Sequence, residues 1–350
     1  MQALLLSAGL GTRLRPHTEY MAKPSISFLN IPLMAYSLWH LEQAGLKKLV
    51  ANTHHLPEWV ESTAKQLCDP VINLKFSHEP QILGSGGGLQ KALSLFNAGE
   101  PILLANADTL LLASNTEIYK ELLRFHEASG NYATLLCCPH PGVGTKFGGV
   151  YVKSSLTEAG FERAEVSCFS KAPVDGLKGY HYTGTVVIAP RAFKDLPEGE
   201  SNILYDVLSK AIAQPEKVSA FIDPGMLFFE TGDPRSFLDS TRNCLELLNK
   251  ETSKSQQLRS ILSRYSRGWD NFKTGGVFSA LKPAEQLIIK PESLGILGRN
   301  MQLGPNIELK NYFVLGSQCQ IGGRNSIDST VILPKGRVPE GENLLAQIRS

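Results

Sequence analysis

The chain has 350 residues, enough for two or three domains and a substantial buried core. Apolar residues make up 42% and charged residues 19%, which is too apolar for a disordered chain and ordinary for a folded one. Thirty-five basic against 33 acidic side chains leave +2, so composition gives no electrostatic case for nucleic acid or an anionic membrane, and any phosphate site has to be local. In chain order, residues 1–7 read as a buried strand and 33–44 as a helix that stops at Gly45. Strand 48–53, helix 57–67, strand 73–77 and helix 86–96 follow, then strand 101–105, helix 117–128 and strand 133–138. This alternation predicts an α/β fold, a Rossmann-like, mainly parallel sheet with helices on both faces. Beyond residue 145 the helices thin out. Strands 149–153, 163–169, 180–189 and 218–222 suggest an antiparallel or mixed part of the sheet.

Residues 236–263 read as one long helix, polar towards its end, and 267–290 as a poorly patterned linker. A repeat follows. Leu297, Leu303, Leu309, Leu315, Ile321, Ile327 and Leu333 fall every six residues, and Gly298, Gly304, Gly316 and Gly322 directly follow four of them. Such a period predicts a parallel β-helix: each hexad forms one short face, the aliphatic residue points inward and a small residue fits the turn. Its apolar ends want cover, so a homo-oligomer formed through this region is expected.

Cys68, Cys137, Cys138, Cys168, Cys244 and Cys319 form no C-x-x-C pair, a pattern that fits a reduced, cytoplasmic protein. The eight histidines include no H-E-x-x-H, so zinc is not expected, and His54-His55 reads as a loop pair without a ligand role. Trp39, Trp59 and Trp269 read as core or interface residues. The first apolar run ends in glycine-rich sequence rather than a cleavage site, and no run is long enough to span a bilayer.

The strongest motif is Leu6-Ser7-Ala8-Gly9-Leu10-Gly11-Thr12-Arg13-Leu14-Arg15-Pro16. It follows a buried strand and so lies at a carboxyl end of the sheet, where open α/β sheets bind ligands. Its glycines let backbone N–H groups approach a phosphate. It lacks the Lys-Ser/Thr of a Walker loop and the third glycine of a dinucleotide fingerprint. Pro16, Pro24 and Pro32 argue against a helix starting soon after it, which leaves the phosphates to the loop and its cations Arg13, Arg15 and Lys23. In Leu103-Leu104-Ala105-Asn106-Ala107-Asp108, an aspartate at the end of a buried strand is a natural Mg²⁺ ligand, with a turn or cap role as the alternative. The run Glu79-Pro80-Gln81-Ile82-Leu83-Gly84-Ser85-Gly86-Gly87-Gly88 ends one strand and opens a helix near Leu89. It reads either as a strand–helix turn or as a close approach to a flat ring.

The glycine loop, followed by Lys23-Pro24 and Asn30-x-Pro32, resembles the sugar-1-phosphate nucleotidyltransferases, over about residues 1–245. Many members carry a C-terminal left-handed β-helix. The resemblance implies a catalytic domain 1–245, a helical linker 246–290 and a hexapeptide-repeat domain 291–350. It also implies an enzyme joining an NTP and a sugar 1-phosphate into an NDP-sugar and pyrophosphate with Mg²⁺. Leu6, Ala8, Gly9, Gly11, Thr12, Arg13, Glu79, Gly84, Gly86 and Gly87 would bind the nucleotide. Lys23 would stabilise the α-phosphate. Asn106, Thr183 and Gly184 would meet the sugar, and Lys171 its phosphate. Asp108 and Glu230 would hold the metal, Glu230 standing where the family has Asp, with Asp233 as a neighbour that could equally cap a helix. The repeat tilts the reading towards mannose-1-phosphate guanylyltransferases. Uridylyl- or thymidylyltransferases acting on muramate, heptose or glucose phosphates are the alternative. His17, Ala22, Ala107, Ser170 and Glu230 depart from the family pattern and keep open a non-catalytic NDP-sugar sensor. An acyltransferase working on the repeat is disfavoured, because no histidine follows His181.

Overall fold

A computed structural model describes residues 1–214, 216–266 and 268–350. The chain forms two compact units: Met1–Leu10 with Tyr36–Phe229, and Gly11–Ala35 with Glu230–Ser350. The cut near residue 230, and the assignment of 11–35 to the second unit, differ from a boundary drawn at 245.

The first unit is built on a ten-stranded mixed sheet among the described residues. Its centre is parallel: Gln2–Leu6 lies between Ile102–Asn106 and Lys48–Thr53, and the latter pairs with Asn73–His78. The first three of these strands are short, mostly apolar and buried on both faces, as the interior of a parallel sheet requires, while Asn73–His78 is a largely exposed edge strand. Lys178–Ile188 then runs antiparallel to both Ile102–Asn106 and Ala133–Cys138. Val218–Ile222 returns parallel to Ala133–Cys138, and Phe161–Ser170 pairs antiparallel beyond it. The change of pattern after residue 145 is therefore a change of strand direction. Leu4, Val50, Leu104, Leu135, Val186 and Ile222 belong to one buried core.

Several local expectations are corrected. The helix after Glu79 spans Gly84–Ala92, so it starts before the glycine triplet rather than after it. A π-helix, Ile203–Leu208, was not anticipated; Asn202 caps it, with Oδ1 accepting from the Leu204 and Tyr205 amides. The long helix is two, Pro234–Leu248 and Ser253–Ser266. The second starts where the Thr252 hydroxyl accepts from the Ser255 amide at 3.1 Å. A one-turn helix, His17–Tyr20, does follow the glycine loop, with Pro16 at its N-cap, where a missing N–H is tolerated.

In the second unit, Gly276–Ser279, Leu294–Leu297, Ile307–Leu315, Ser326–Ile332 and Asn343–Leu345 stack in parallel, and Gln302–Leu303, Gln320–Ile321 and Arg337–Val338 form a second parallel stack. The stretch expected as linker thus carries strands of its own, including Leu287–Ile289 paired with Ile307–Leu315. Its first residue, Arg267, lies outside the described residues. Leu297 faces Leu315, and Leu309 faces Ile327, three hexads on. The last hexad slips: Leu315 faces Ile332, not Leu333, because the register shifts by one residue after Lys310. Leu297, Leu309, Leu315, Ile321, Ile327 and Ile332 fill the unit's core.

The turns are not made by the repeat's glycines. Asn300, Gln318 and Lys335 hold one corner in left-handed backbone, Asn306, Arg324 and Gly341 a second, and Asn311, Ser329 and Ala346 a third. The glycines serve close stacking instead. A Cβ at Gly322 would lie 2.6 Å from the Glu340 nitrogen, and those at Gly298, Gly304 and Gly316 also meet backbone.

Candidate active site

In the first unit the glycine loop leaves the sheet at Ser7. The Ser7 amide donates to Asn52 Oδ1 at 2.7 Å, and its hydroxyl to the Asn52 carbonyl at 2.5 Å. Asn52 Nδ2 donates in turn to Glu79 Oε1 at 2.7 Å, and the Leu83 amide to Glu79 Oε2 at 2.9 Å. Glu79 is fully buried. One polar chain thus ties the carboxyl ends of three neighbouring parallel strands to the start of a helix, and a buried network satisfied this fully is rigid. His54 bonds the Glu79 carbonyl at 2.7 Å, so this histidine serves the scaffold. Asn52 was missed in the sequence; its signal was a lone amide in an apolar strand.

Beyond this anchor Ala8 is buried, while a Cβ at Gly9 would meet nothing within 4 Å among the described residues. Gly9 opens onto space. Gly84, Gly86 and Gly87 do not. A Cβ at Gly84 would stand 2.5 Å from the Ser201 carbonyl oxygen, one at Gly86 2.6 Å from Ser201 Oγ, and one at Gly87 closer still to the Gly199 carbonyl oxygen. The Ser201 carbonyl also accepts the Gly86 amide at 2.9 Å. These glycines let the 199–201 segment lie against the helix, so the structure gives them a packing role.

Leu6 carries its carbonyl to the Ala107 amide at 3.0 Å, which seats the Ala107–Asp108 turn beside the start of the glycine loop. Asn106 ends the adjacent strand and accepts the Ser37 hydroxyl on its carbonyl at 2.7 Å. Gly184, at φ 83°, packs directly on the Asn106 side chain. Its strand bulges between Tyr182 and Thr185, and the Thr183 hydroxyl donates to the Leu136 carbonyl at 3.0 Å. Asn106, Thr183 and Gly184 are therefore brought together. Lys171 is exposed just past Phe161–Ser170, where Ser170 Oγ closes a turn on Ala172. A Cβ at Gly148 would lie 3.0 Å from the Tyr205 hydroxyl and 4.0 Å from Lys171 Cα.

In the second unit Gly11 is left-handed, at φ 63°, and its carbonyl accepts the Thr18 hydroxyl at 2.9 Å. A Cβ there would stand 2.8 Å from Thr18 Cγ2 and 3.2 Å from Lys23 Cβ, so Lys23 packs beside the bend. Thr12, Arg13 and Arg15 are exposed. Arg13 Nη2 lies 4.0 Å from Glu230 Oε1, which also accepts the Gly232 amide at 2.8 Å. Asp233 caps Pro234–Leu248, with Oδ1 accepting from the Ser236 amide at 2.9 Å. Among the described residues no group of three or more His, Cys, Asp or Glu lies together as a ready metal site. An ion at Asp108 would thus need phosphate oxygens to complete its shell, as is usual for Mg²⁺. No helix among the described residues is long and apolar enough to cross a membrane.

A family model described as nucleotidyl transferase matches residues 2–246. The chain belongs to this family. A probable mannose-1-phosphate guanylyltransferase 2 of Oryza sativa subsp. japonica is 27% identical over 256 residues, covering 72% of this chain and 67% of the relative. A mannose-1-phosphate guanyltransferase of Hypocrea jecorina is also 27% identical, covering 73% and 67%. Among solved structures, a UDP-glucose pyrophosphorylase from Acinetobacter baumanii superposes with a TM-score of 0.60 at 18% identity, over 75% of this chain and 98% of that one. An inositol-1-phosphate CTP transferase from T. maritima gives 0.55 at 18% identity, over 75% and 96%. These likenesses establish the α/β fold with a mixed sheet. The chain is a nucleotidyltransferase, the enzyme class that the glycine loop resembled.

Proposed function

We propose that this enzyme joins an NTP to a sugar 1-phosphate, releasing pyrophosphate, and that the pair it uses is GTP with mannose 1-phosphate. One observation carries the reading: Gly9 opens onto free space at the exit of Gln2–Leu6, and the Asp108 turn is hydrogen-bonded to the same strand end. A phosphate-holding backbone and a carboxylate suited to a divalent ion then share one strand terminus. The identity of the guanylyltransferase relatives supports the choice of base and sugar.

In the reaction a phosphate oxygen of the sugar phosphate forms a bond to the α-phosphorus. The bond from that phosphorus to its bridging oxygen breaks, and pyrophosphate leaves with the electron pair. The nucleophile is already ionised, so no side chain takes a proton. The protein's work is positioning and charge neutralisation. Arg13 holds the terminal phosphates, Lys23 the α-phosphate and Lys171 the incoming phosphate. Asn106, Thr183 and Gly184 line the sugar's place. Mg²⁺, when bound, neutralises charge at the reacting phosphates; Asp108 and Glu230 are its proposed protein ligands.

We also infer that the parallel stacks form a left-handed β-helix with three hexads to a coil, supported by the register between successive strands. Through it the chain assembles with copies of itself, in a reduced cytoplasm; solution mass checks the assembly, and a strict monomer overturns it. The decisive experiment is pyrophosphate release with each of the four NTPs and dTTP against a panel of sugar 1-phosphates and Mg²⁺. Release with GTP and mannose 1-phosphate is expected. NDP-sugar binding without release for any pair would overturn the enzymatic reading.

A further inference from the structure

We infer that His181 reads a hydroxyl of the sugar substrate, an inference that rests on the proposed function and refines it. His181 lies on Lys178–Ile188, just before Thr183 and Gly184. Its residue is 8% exposed, and both ring nitrogens are buried with no hydrogen-bond partner among the described residues. Other buried imidazoles of this unit are anchored. His126 Nδ1 meets Thr134 Oγ1 at 2.9 Å, and His40 Nε2 meets the Leu111 carbonyl at 3.1 Å. Each orphaned polar atom costs about 1–3 kcal/mol, so a purely structural role at 181 would be better served by phenylalanine, which fills a similar volume without that cost.

The surroundings indicate what the nitrogens await. Phe228 lies 4.3 Å from the His181 ring centroid, Phe147 4.8 Å and His140 5.3 Å. Burial, with His140 beside it, pushes the imidazole down to about 4, so it is neutral at working pH. A neutral imidazole offers one donor and one acceptor, and a sugar hydroxyl is likewise both. The aromatic faces suit the C–H surface of a pyranose, while the lack of charge argues against an ionic group.

Position supports the sugar end of the substrate. Phe147, whose ring lies 4.8 Å from His181, precedes Gly148, whose Cβ position is 4.0 Å from Lys171 Cα, so His181 and the proposed phosphate anchor are linked through one short stretch of chain. His140 and Phe147 belong to segment 139–148, whose shape is fixed by Phe147 N to Gly142 O at 2.8 Å, Gly144 N to Phe147 O at 2.8 Å and Gly142 N to His140 Nδ1 at 3.0 Å, so the two rings are set in place beside His181.

The test uses the full-length enzyme and the NTP–sugar phosphate pair found by the pyrophosphate screen. His181→Phe keeps the ring cluster and removes both nitrogens. It should raise KM for the sugar 1-phosphate by about ten-fold or more, leave KM for the NTP unchanged and leave melting temperature equal or higher. His181→Gln, which restores a donor and an acceptor, should recover part of the loss. Unchanged KM for the sugar phosphate in His181→Phe overturns the inference while the enzymatic reading stands. A wild-type enzyme inert with every pair overturns both.

Discussion

Gly87→Ala separates two meanings of a glycine triplet. If Gly87 serves a flat base, an added methyl should weaken nucleotide binding and leave the fold alone. The structure requires the reverse. A Cβ at Gly87 would stand 3.1 Å from the Gly199 carbonyl carbon and nearer its oxygen. The 199–203 segment cannot easily yield. It is pinned by Ser201 N to Leu83 O, Gly86 N to Ser201 O and Ile203 N to Ser85 Oγ, each at 2.9 Å. Displacing it puts three hydrogen bonds at risk, roughly 3 kcal/mol in all. Alanine's better helix propensity returns about 1 kcal/mol. The net loss is about 2 kcal/mol, or roughly 4–8 °C in the melting of a unit this size. Gly9→Ala is the control. Its methyl meets nothing within 4 Å, so stability should hold or rise by less than about 1 kcal/mol, while KM for the NTP rises. Calorimetry and steady-state kinetics on both variants decide the matter. A Gly87→Ala enzyme that melts like wild type but binds NTP poorly would refute the packing account.

Asp108→Asn should abolish pyrophosphate release; near-normal release would remove Asp108 from the metal site. Lys171→Met, at an exposed position, should raise KM for the sugar phosphate about ten-fold without a change in stability, as kinetics and calorimetry would show. Acid should destabilise the first unit. His126 and His181 are each held down to about 4, chiefly by burial, with Arg191 beside the first and His140 beside the second. Both are neutral when folded but protonate near 6.5 when unfolded. Stability is therefore full above about pH 6.5 and falls as pH drops towards 4, by up to about 3 kcal/mol per imidazole. Urea unfolding at pH 7 and pH 5 measures this, and His181→Phe should reduce the slope.

What was legible in the sequence had a local cause. Lys48–Thr53, Pro57–Leu67 and Ala133–Cys138 were readable because apolar runs and helical spacing end at turn residues. The glycine loop was readable because its chemistry is contained in eleven consecutive residues, and its exit from a buried strand follows from the strand itself. The packing of Gly84, Gly86 and Gly87 was not legible because their partner, 199–201, lies far along the chain. Asn52 and His181 escaped notice for the same reason. One acts through Ser7 and Glu79, the other sits among Phe147 and Phe228, and neither neighbourhood exists until the sheet has formed. The repeat shows the limit from the other side. Its period placed the buried aliphatics as far as Ile327, yet the shift after Lys310 moved the last inward position from Leu333 to Ile332, and the strands within 267–290 do not keep the six-residue spacing. A repeat specifies the side chain that fills a layer; the turn residues in left-handed backbone decide how many residues each layer takes, and those are Asn, Gln, Arg, Lys and Ser as readily as Gly.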